Sequence, residues 1–221
     1  MNIKKLFSGL GRDVLLLFVI GGVLLYQTAG DFLVSVKPAV SFEDMLNGTE
    51  VKPGTHVAGD VVYAFDYFAT ESSYTQRSDG SRSGSRKTGN YYLIPIADGY
   101  IGLKSRQADV AALDKLSEET FTFLQTGAEP ATTIFMEGNV EVLEGKLATY
   151  YQEYLEELGY SKAEIEAFGT PLVVRYVSFN AVRVMFLIGI VFIILGIVIM
   201  IRRANYVSGL PKASDLPNSP I

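Results

Sequence analysis

VMFLIGIVFIILGIVIMI, Val184 to Ile201, is eighteen residues without a polar side chain. As a helix it would be about 27 Å long at about 1.5 Å per residue, close to the hydrocarbon thickness of a bilayer. Arg183 bounds it on one side and Arg202–Arg203 on the other. A core helix of a soluble domain seldom runs this long without a polar face. The reading is a membrane span over 181–201, and the rest of the chain is organised around it.

A second apolar run precedes the bulk of the sequence. Val14 to Tyr26 is apolar throughout, with Lys4, Lys5 and Arg12 before it and QTAG after it. The pattern fits a transmembrane helix over 14–30, and it also fits a cleaved signal peptide. Thr28 and Gly30 give poor cleavage positions, which favours the uncleaved helix. Residues 1–13 carry net +2, residues 202–221 net +2, and residues 31–182 twelve basic and twenty-two acidic residues, net -10. Lys and Arg beside the spans favour the cytoplasmic side. The expectation is a two-pass protein of a bacterial plasma membrane, with a cytoplasmic N-terminus (1–13), an extracytoplasmic α+β domain (31–180) and a disordered cytoplasmic tail (202–221). The chain has no Cys, so an outward domain has no disulfides, which suits a bacterial exterior better than a secretory lumen. The Asn47-Gly48-Thr49 sequon is read as a chance match.

Within 31–180 the core is placed at about 40–179. Ser41 with Asp44 caps a short helix closed by Gly48. Thr55 to Ala69 reads as one long strand bent at Gly59. Tyr91 to Ile96 and Tyr100 to Lys104 form a hairpin about Asp98-Gly99. Val110, Leu113, Leu116, Thr120 and Phe123 recur at helical spacing, with a break at Ser117. Thr132 to Leu143 is a strand bulged at Gly138. Lys146 to Leu158 is an amphipathic helix, Ser161 with Glu164 opens another, and Leu172 to Phe179 is the last strand. The order matches an OB-fold, a five-stranded barrel with a helix between strands three and four. An unrelated α+β sheet has the same order.

The stretches SFEDMLNGTEVKPGTHVAGDVVYAF (41–65), YYLIPIADGYIGLK (91–104), YYQEYLEELGYS (150–161) and the terminal helix resemble a family of two-pass bacterial membrane proteins with one extracytoplasmic α/β domain. The resemblance covers nearly the whole chain. It implies topology, and the family has no assigned activity.

No catalytic constellation is visible, and no cofactor is expected. One His and no Cys preclude a His/Cys metal site, and no calcium loop of the D-x-[DN]-x-[DN]-G type occurs. Glu153, Glu156, Glu157, Glu164 and Glu166 read as a solvated helical face. The sequence GSRSG, Gly80 to Gly84, places Arg82 where a serine elbow needs Ser. The stretch RSDGSRSGSRKTGN, Arg77 to Asn90, lacks the Gly that a P-loop needs before Lys87 and leads into a strand. An acidic domain also argues against nucleic acid. Two readings of the connection 71–90 stay open: a flexible, solvated loop, or a site in which Arg77, Arg82, Arg86 and Lys87 hold an anionic envelope polymer or lipid headgroups, with Tyr74, Tyr91 and Tyr92 stacking on sugars. The spans contain no Asp, Glu, Lys or Arg, which disfavours a one-chain transporter. Gly21, Gly22, Gly189 and Gly196 offer small surfaces for contact between the two helices, with a membrane partner, or in a homo-oligomer. The function expected is a non-enzymatic binding or assembly module of the envelope; the alternative is an accessory subunit of a transporter or secretion complex, and an enzyme comes third.

Overall fold

The computed structural model describes residues 10–209. The expectations for residues 1–9 and 210–221 lie outside the described residues, whereas residues 202–209 of the expected disordered tail are helical. The chain divides into a central unit, Leu33–Phe179, and a helical unit made of the segments on either side.

The helical unit contains most of α1 (Arg12–Ser35) and α6 (Phe179–Gly209). Both are long and apolar enough to cross a membrane, and both leave large side chains exposed, among them Leu16, Val19, Val191 and Ile194. Three of the four singled-out glycines lie on the α1–α6 seam. A Cβ on Gly21 would sit 2.9 Å from the Gly189 carbonyl oxygen, one on Gly189 3.0 Å from Leu25, and one on Gly196 2.8 Å from the Phe18 ring. Gly22 has nothing within 4 Å and belongs to the open face. Phe32 stacks on Phe186 at 3.9 Å, and Arg203 grips Asp13 through two hydrogen bonds of 2.6 and 2.8 Å.

The central unit is built on six strands: β1 (His56–Val61), β2 (Phe65–Ser73), β3 (Arg86–Ile96), β4 (Gly99–Lys104), β5 (Ile134–Val142) and β6 (Leu172–Tyr176). They form one mixed sheet in the order β1-β5-β6-β4-β3-β2, antiparallel except for β4 beside β6. The four helices of this region are α2 (Phe42–Leu46), α3 (Val110–Thr126), α4 (Lys146–Glu157) and α5 (Lys162–Ala167). On one face α2 and α3 cover Val57, Tyr92, Ile94, Ile101, Leu103 and Met136 with Phe42, Met45, Leu113 and Leu116. On the other face α4 and α5 bury Tyr151, Leu155 and Ile165 against Phe65, Tyr91, Leu93 and Val173. Strand β3 is covered on both faces, which is why YYLI reads as an unbroken apolar run rather than an alternating one.

The five-stranded closed barrel does not form: there are six strands, and β1 and β2 are the two outermost strands of an open sheet. The expected long strand from Thr55 to Ala69 is two strands. Between them Val62 to Ala64 leaves the ladder, and the buried Ala64 N–H donates to Thr120 Oγ1 of α3 at 3.1 Å. A buried amide taken out of a ladder needs such a replacement. Gly59 makes no bend; it pairs with Met136 in an unbroken register, and a Cβ there would lie 3.1 Å from Ser41 Cβ, beneath the α2 N-cap. Gly138 is not a bulge either, since its pairings with Val57 and Tyr176 fall in continuous ladders. The β3–β4 turn is Ala97–Asp98, with Gly99 already paired to Ile96.

Ser117 does not break α3. It is fully buried, and its hydroxyl donates to Asp66 at 3.0 Å, so the helix carries through to Gly127 in the left-handed conformation. Both capping boxes, Ser41 with Asp44 and Ser161 with Glu164, are present. Phe179 starts α6 rather than ending β6. His56 has a structural position: Nδ1 donates to the Lys37 carbonyl at 3.0 Å, and its ring meets Phe179 edge-on at 4.4 Å.

Candidate functional site

The connection 71–90 is shorter and more ordered than a Ser- and Gly-rich loop would be. Strands β2 and β3 continue pairing through Glu71–Gly89, Ser72–Lys87 and Ser73–Arg86, with a register shift between the first two pairs. Beyond them Gln76 bridges Arg82, Ser83 N–H donates to the Thr75 carbonyl at 2.8 Å, and Arg77 N–H donates to Ser81 at 2.8 Å. The result is a narrow two-stranded ribbon closed by a turn. Gly80 takes φ +83° in that turn, a conformation glycine adopts without steric cost. Every residue from Ser72 to Lys87 is exposed.

The charges on this ribbon are distinctive. Among the described residues, no carboxylate pairs with Arg77, Arg82, Arg86 or Lys87. Arg82 instead lies over the Tyr74 ring at 4.6 Å, a cation–π contact that orders the guanidinium without neutralising it. The one acid of the turn, Asp79, accepts hydrogen bonds from the Ser81 hydroxyl at 2.7 Å and the Ser81 N–H at 2.9 Å. Those bonds hold its carboxyl below the usual range and keep it turned into its own loop.

Tyr91 and Tyr92 do not belong to this surface. Both are buried, on opposite faces of the sheet. The Tyr92 hydroxyl donates to Asp114 and receives a hydrogen bond from Asn90 Nδ2 at 3.3 Å, while burial and that carboxylate push its ionisation well above the ordinary range. Stacking on a ligand is therefore left to Tyr74 alone.

The ribbon base is fixed by a group that sequence reading missed. Lys104 of β4 donates to Glu71 at 2.6 Å, and Thr88 donates to the other oxygen of the same carboxylate at 2.8 Å. Burial alone would raise the Glu71 carboxyl, but these bonds outweigh it and leave the pKa below the ordinary 4.5. Burial likewise acts to lower Lys104, and Glu71 overcomes it, leaving the amine above 10.5. The stabilisation from Glu71 is thus present above about pH 4.5 and lost as the pH falls through its lowered folded value. That from Lys104 is present below about pH 10.5 and lost as the pH rises. Both groups are partly exposed, so the pair contributes at most about 1 kcal/mol. Glu71→Gln should lower the unfolding midpoint slightly at pH 7, by a deficit that shrinks as the pH falls below about 4.5; a deficit unchanged with falling pH would show that the ion pair is not the cause.

A second feature escaped the sequence. Asp66, Tyr67 and Phe68 of β2 and Tyr150, Glu153, Tyr154 and Glu157 of α4 line an open cavity of about 390 Å³. Glu153 and Glu157 read from sequence as a solvated face, and only the pairing of α4 with β2 brings them beside Asp66. Among the described residues, no group of three or more His, Cys, Asp or Glu is placed to hold a metal ion. Among the described residues, His56 Nδ1 is engaged by the Lys37 carbonyl rather than by a nucleophile.

No curated protein and no solved structure matches the chain. A family described as a domain of unknown function (DUF8577) matches residues 4–202, from before the first apolar helix to the end of the second apolar run. The chain belongs to that family.

Proposed function

We propose that the protein is a two-pass component of a bacterial plasma membrane, with both ends cytoplasmic. In this reading its central unit is a non-enzymatic binding or assembly module outside, for a phosphate-bearing anionic ligand of the envelope. The observation that carries this reading is the ribbon: four cations without carboxylate partners, one of them ordered on an aromatic ring, on an otherwise acidic unit. Unpaired guanidinium groups with free N–H forks suit phosphate oxygens. The two apolar helices supply the anchor, and Arg202–Arg203 and Arg12 support the orientation through the preference of basic flanks for the cytoplasm.

The sheet adds a supporting parallel. Strands β1 and β2 are consecutive in the chain, separated only by Val62 to Ala64, yet they occupy opposite edges. With β4 parallel to β6 and α3 between β4 and β5, the arrangement reads as an opened OB-like sheet whose first strand is split in two. The ribbon then occupies the first inter-strand connection, a position such folds use for ligands. A second reading, an accessory subunit acting through its helices, rests on the open face of α1 around Gly22.

The test uses the full chain in phosphatidylcholine nanodiscs. It is titrated separately with long-chain inorganic polyphosphate and with phosphatidylglycerol vesicles, to distinguish a polymer from a lipid headgroup. Replacing Arg77, Arg82, Arg86 and Lys87 together by Ser should weaken binding at least about tenfold. Equal binding by the wild type and this variant would overturn the assignment of the ribbon.

A further inference from the structure

The ribbon and the body it grows from carry opposite charge, and they are separated in space. Residues 72–87 hold four basic residues and one acid, net +3. The remainder of 31–182 holds eight basic and twenty-one acidic residues, net -13. The last sheet pair with a buried member before the ribbon is Glu71–Gly89. Arg77 lies six residues beyond Glu71 and Arg82 seven before Gly89. At about 3.3 Å per residue these two side chains stand roughly 20–25 Å from the end of the packed body.

That distance is compared with the range of electrostatic forces in salt solution. The screening length is about 8 Å at 0.15 M ionic strength, about 30 Å at 0.01 M and about 3 Å at 1 M. At 0.01 M a polyanion touching the ribbon also feels the acidic body, and the body's repulsion outweighs the attraction of three net positive charges. At 0.15 M the body is screened from the tip while direct contacts at the tip persist. At 1 M the contacts are screened as well.

We propose that the acidic body gives the ribbon an ionic-strength window. A phosphate polyanion is held best near physiological salt and less well both below and above it. This inference rests on the reading of the ribbon as an anion-binding site and names how that site is regulated. It differs from the behaviour of an ordinary basic site, whose affinity falls steadily as salt rises. Contact would also be confined to the tip, around the ordered Arg82–Tyr74 pair and Arg77, with Arg86 and Lys87 nearer the body.

The experiment is a titration of the full chain, in phosphatidylcholine nanodiscs, with fluorescent long-chain inorganic polyphosphate from 0.01 to 1 M salt. The expected result is a maximum in affinity between about 0.1 and 0.3 M, where the screening length, about 10 Å or less, lies well below the ribbon's reach and still exceeds the length of a direct contact. The variant with Glu118, Glu153, Glu157 and Glu166 all changed to Gln removes four exposed body charges. It should bind severalfold more tightly at 0.01 M and equally at 0.15 M, a pattern that a merely structural change would not produce. The variant Arg77→Ser, Arg82→Ser should lose the maximum. Binding that falls monotonically from 0.01 M overturns the window while leaving the anion site standing. An absence of binding at every salt concentration overturns both.

Discussion

Gly138→Ala should prevent the central unit from folding. A Cβ at this position would lie 2.3 Å from the Arg175 carbonyl oxygen and 2.9 Å from its carbon, far inside van der Waals contact. The obstacle is backbone of the neighbouring strand, so no rotamer change relieves it. Gly138 also pairs with Val57 of β1 on its other side, which leaves β5 no room to retreat. Accommodating one methyl group means separating β5 from β6 near the middle of the sheet. The cost is about 4 kcal/mol or more, comparable with the whole stability of an ordinary domain. Chemical unfolding or limited proteolysis of the full chain measures it. Wild-type stability in this variant would mean that the strands do not approach so closely.

Tyr92→Ala should be nearly as damaging, about 3–5 kcal/mol, because Tyr92 is among the largest side chains with no exposed surface. The loss comprises the ring's packing against the α3 side of the sheet and the hydroxyl bond to Asp114. Tyr92→Phe keeps the ring and removes only the bond, at about 1–2 kcal/mol. Polyanion affinity per folded molecule should be unchanged in Tyr92→Phe. A loss of affinity without a loss of stability would return Tyr92 to the ligand site.

Local signals in the sequence carried far. Ser41 with Asp44 and Ser161 with Glu164 cap helices because a capping box is complete within four residues. The two apolar helices are visible because length and hydropathy act along the chain. What stayed hidden depends on partners distant in sequence. The strand break at Val62 to Ala64 exists because Thr120, fifty-six residues from Ala64, accepts the freed amide. Gly138 mimics a bulge glycine until the carbonyl of Arg175 is placed beside it. Tyr91 and Tyr92 resemble a stacking pair beside a basic loop, and only a helix on each face of β3 shows that both are core.

The same distinction applies to the candidate site. Its cations were legible as residue types. Their freedom from carboxylates, the Tyr74–Arg82 stack and the Lys104–Glu71 base were not, because each depends on ribbon geometry. The cavity between β2 and α4 was invisible for the same reason, since Asp66 and Glu153 meet only through tertiary packing.

The central claim is a basic ribbon presented outside a membrane that the chain crosses twice. The absence of Cys allows a clean test. Ser85, exposed on the ribbon, and Ser214 near the C-terminus are each changed to Cys in separate variants. Intact cells are treated with a membrane-impermeant maleimide. The expected result is labelling of Ser85→Cys in intact cells and of Ser214→Cys only after permeabilisation. Labelling of Ser85→Cys only after permeabilisation would contradict the account, because the ribbon would then face the cytoplasm and could not meet an envelope ligand.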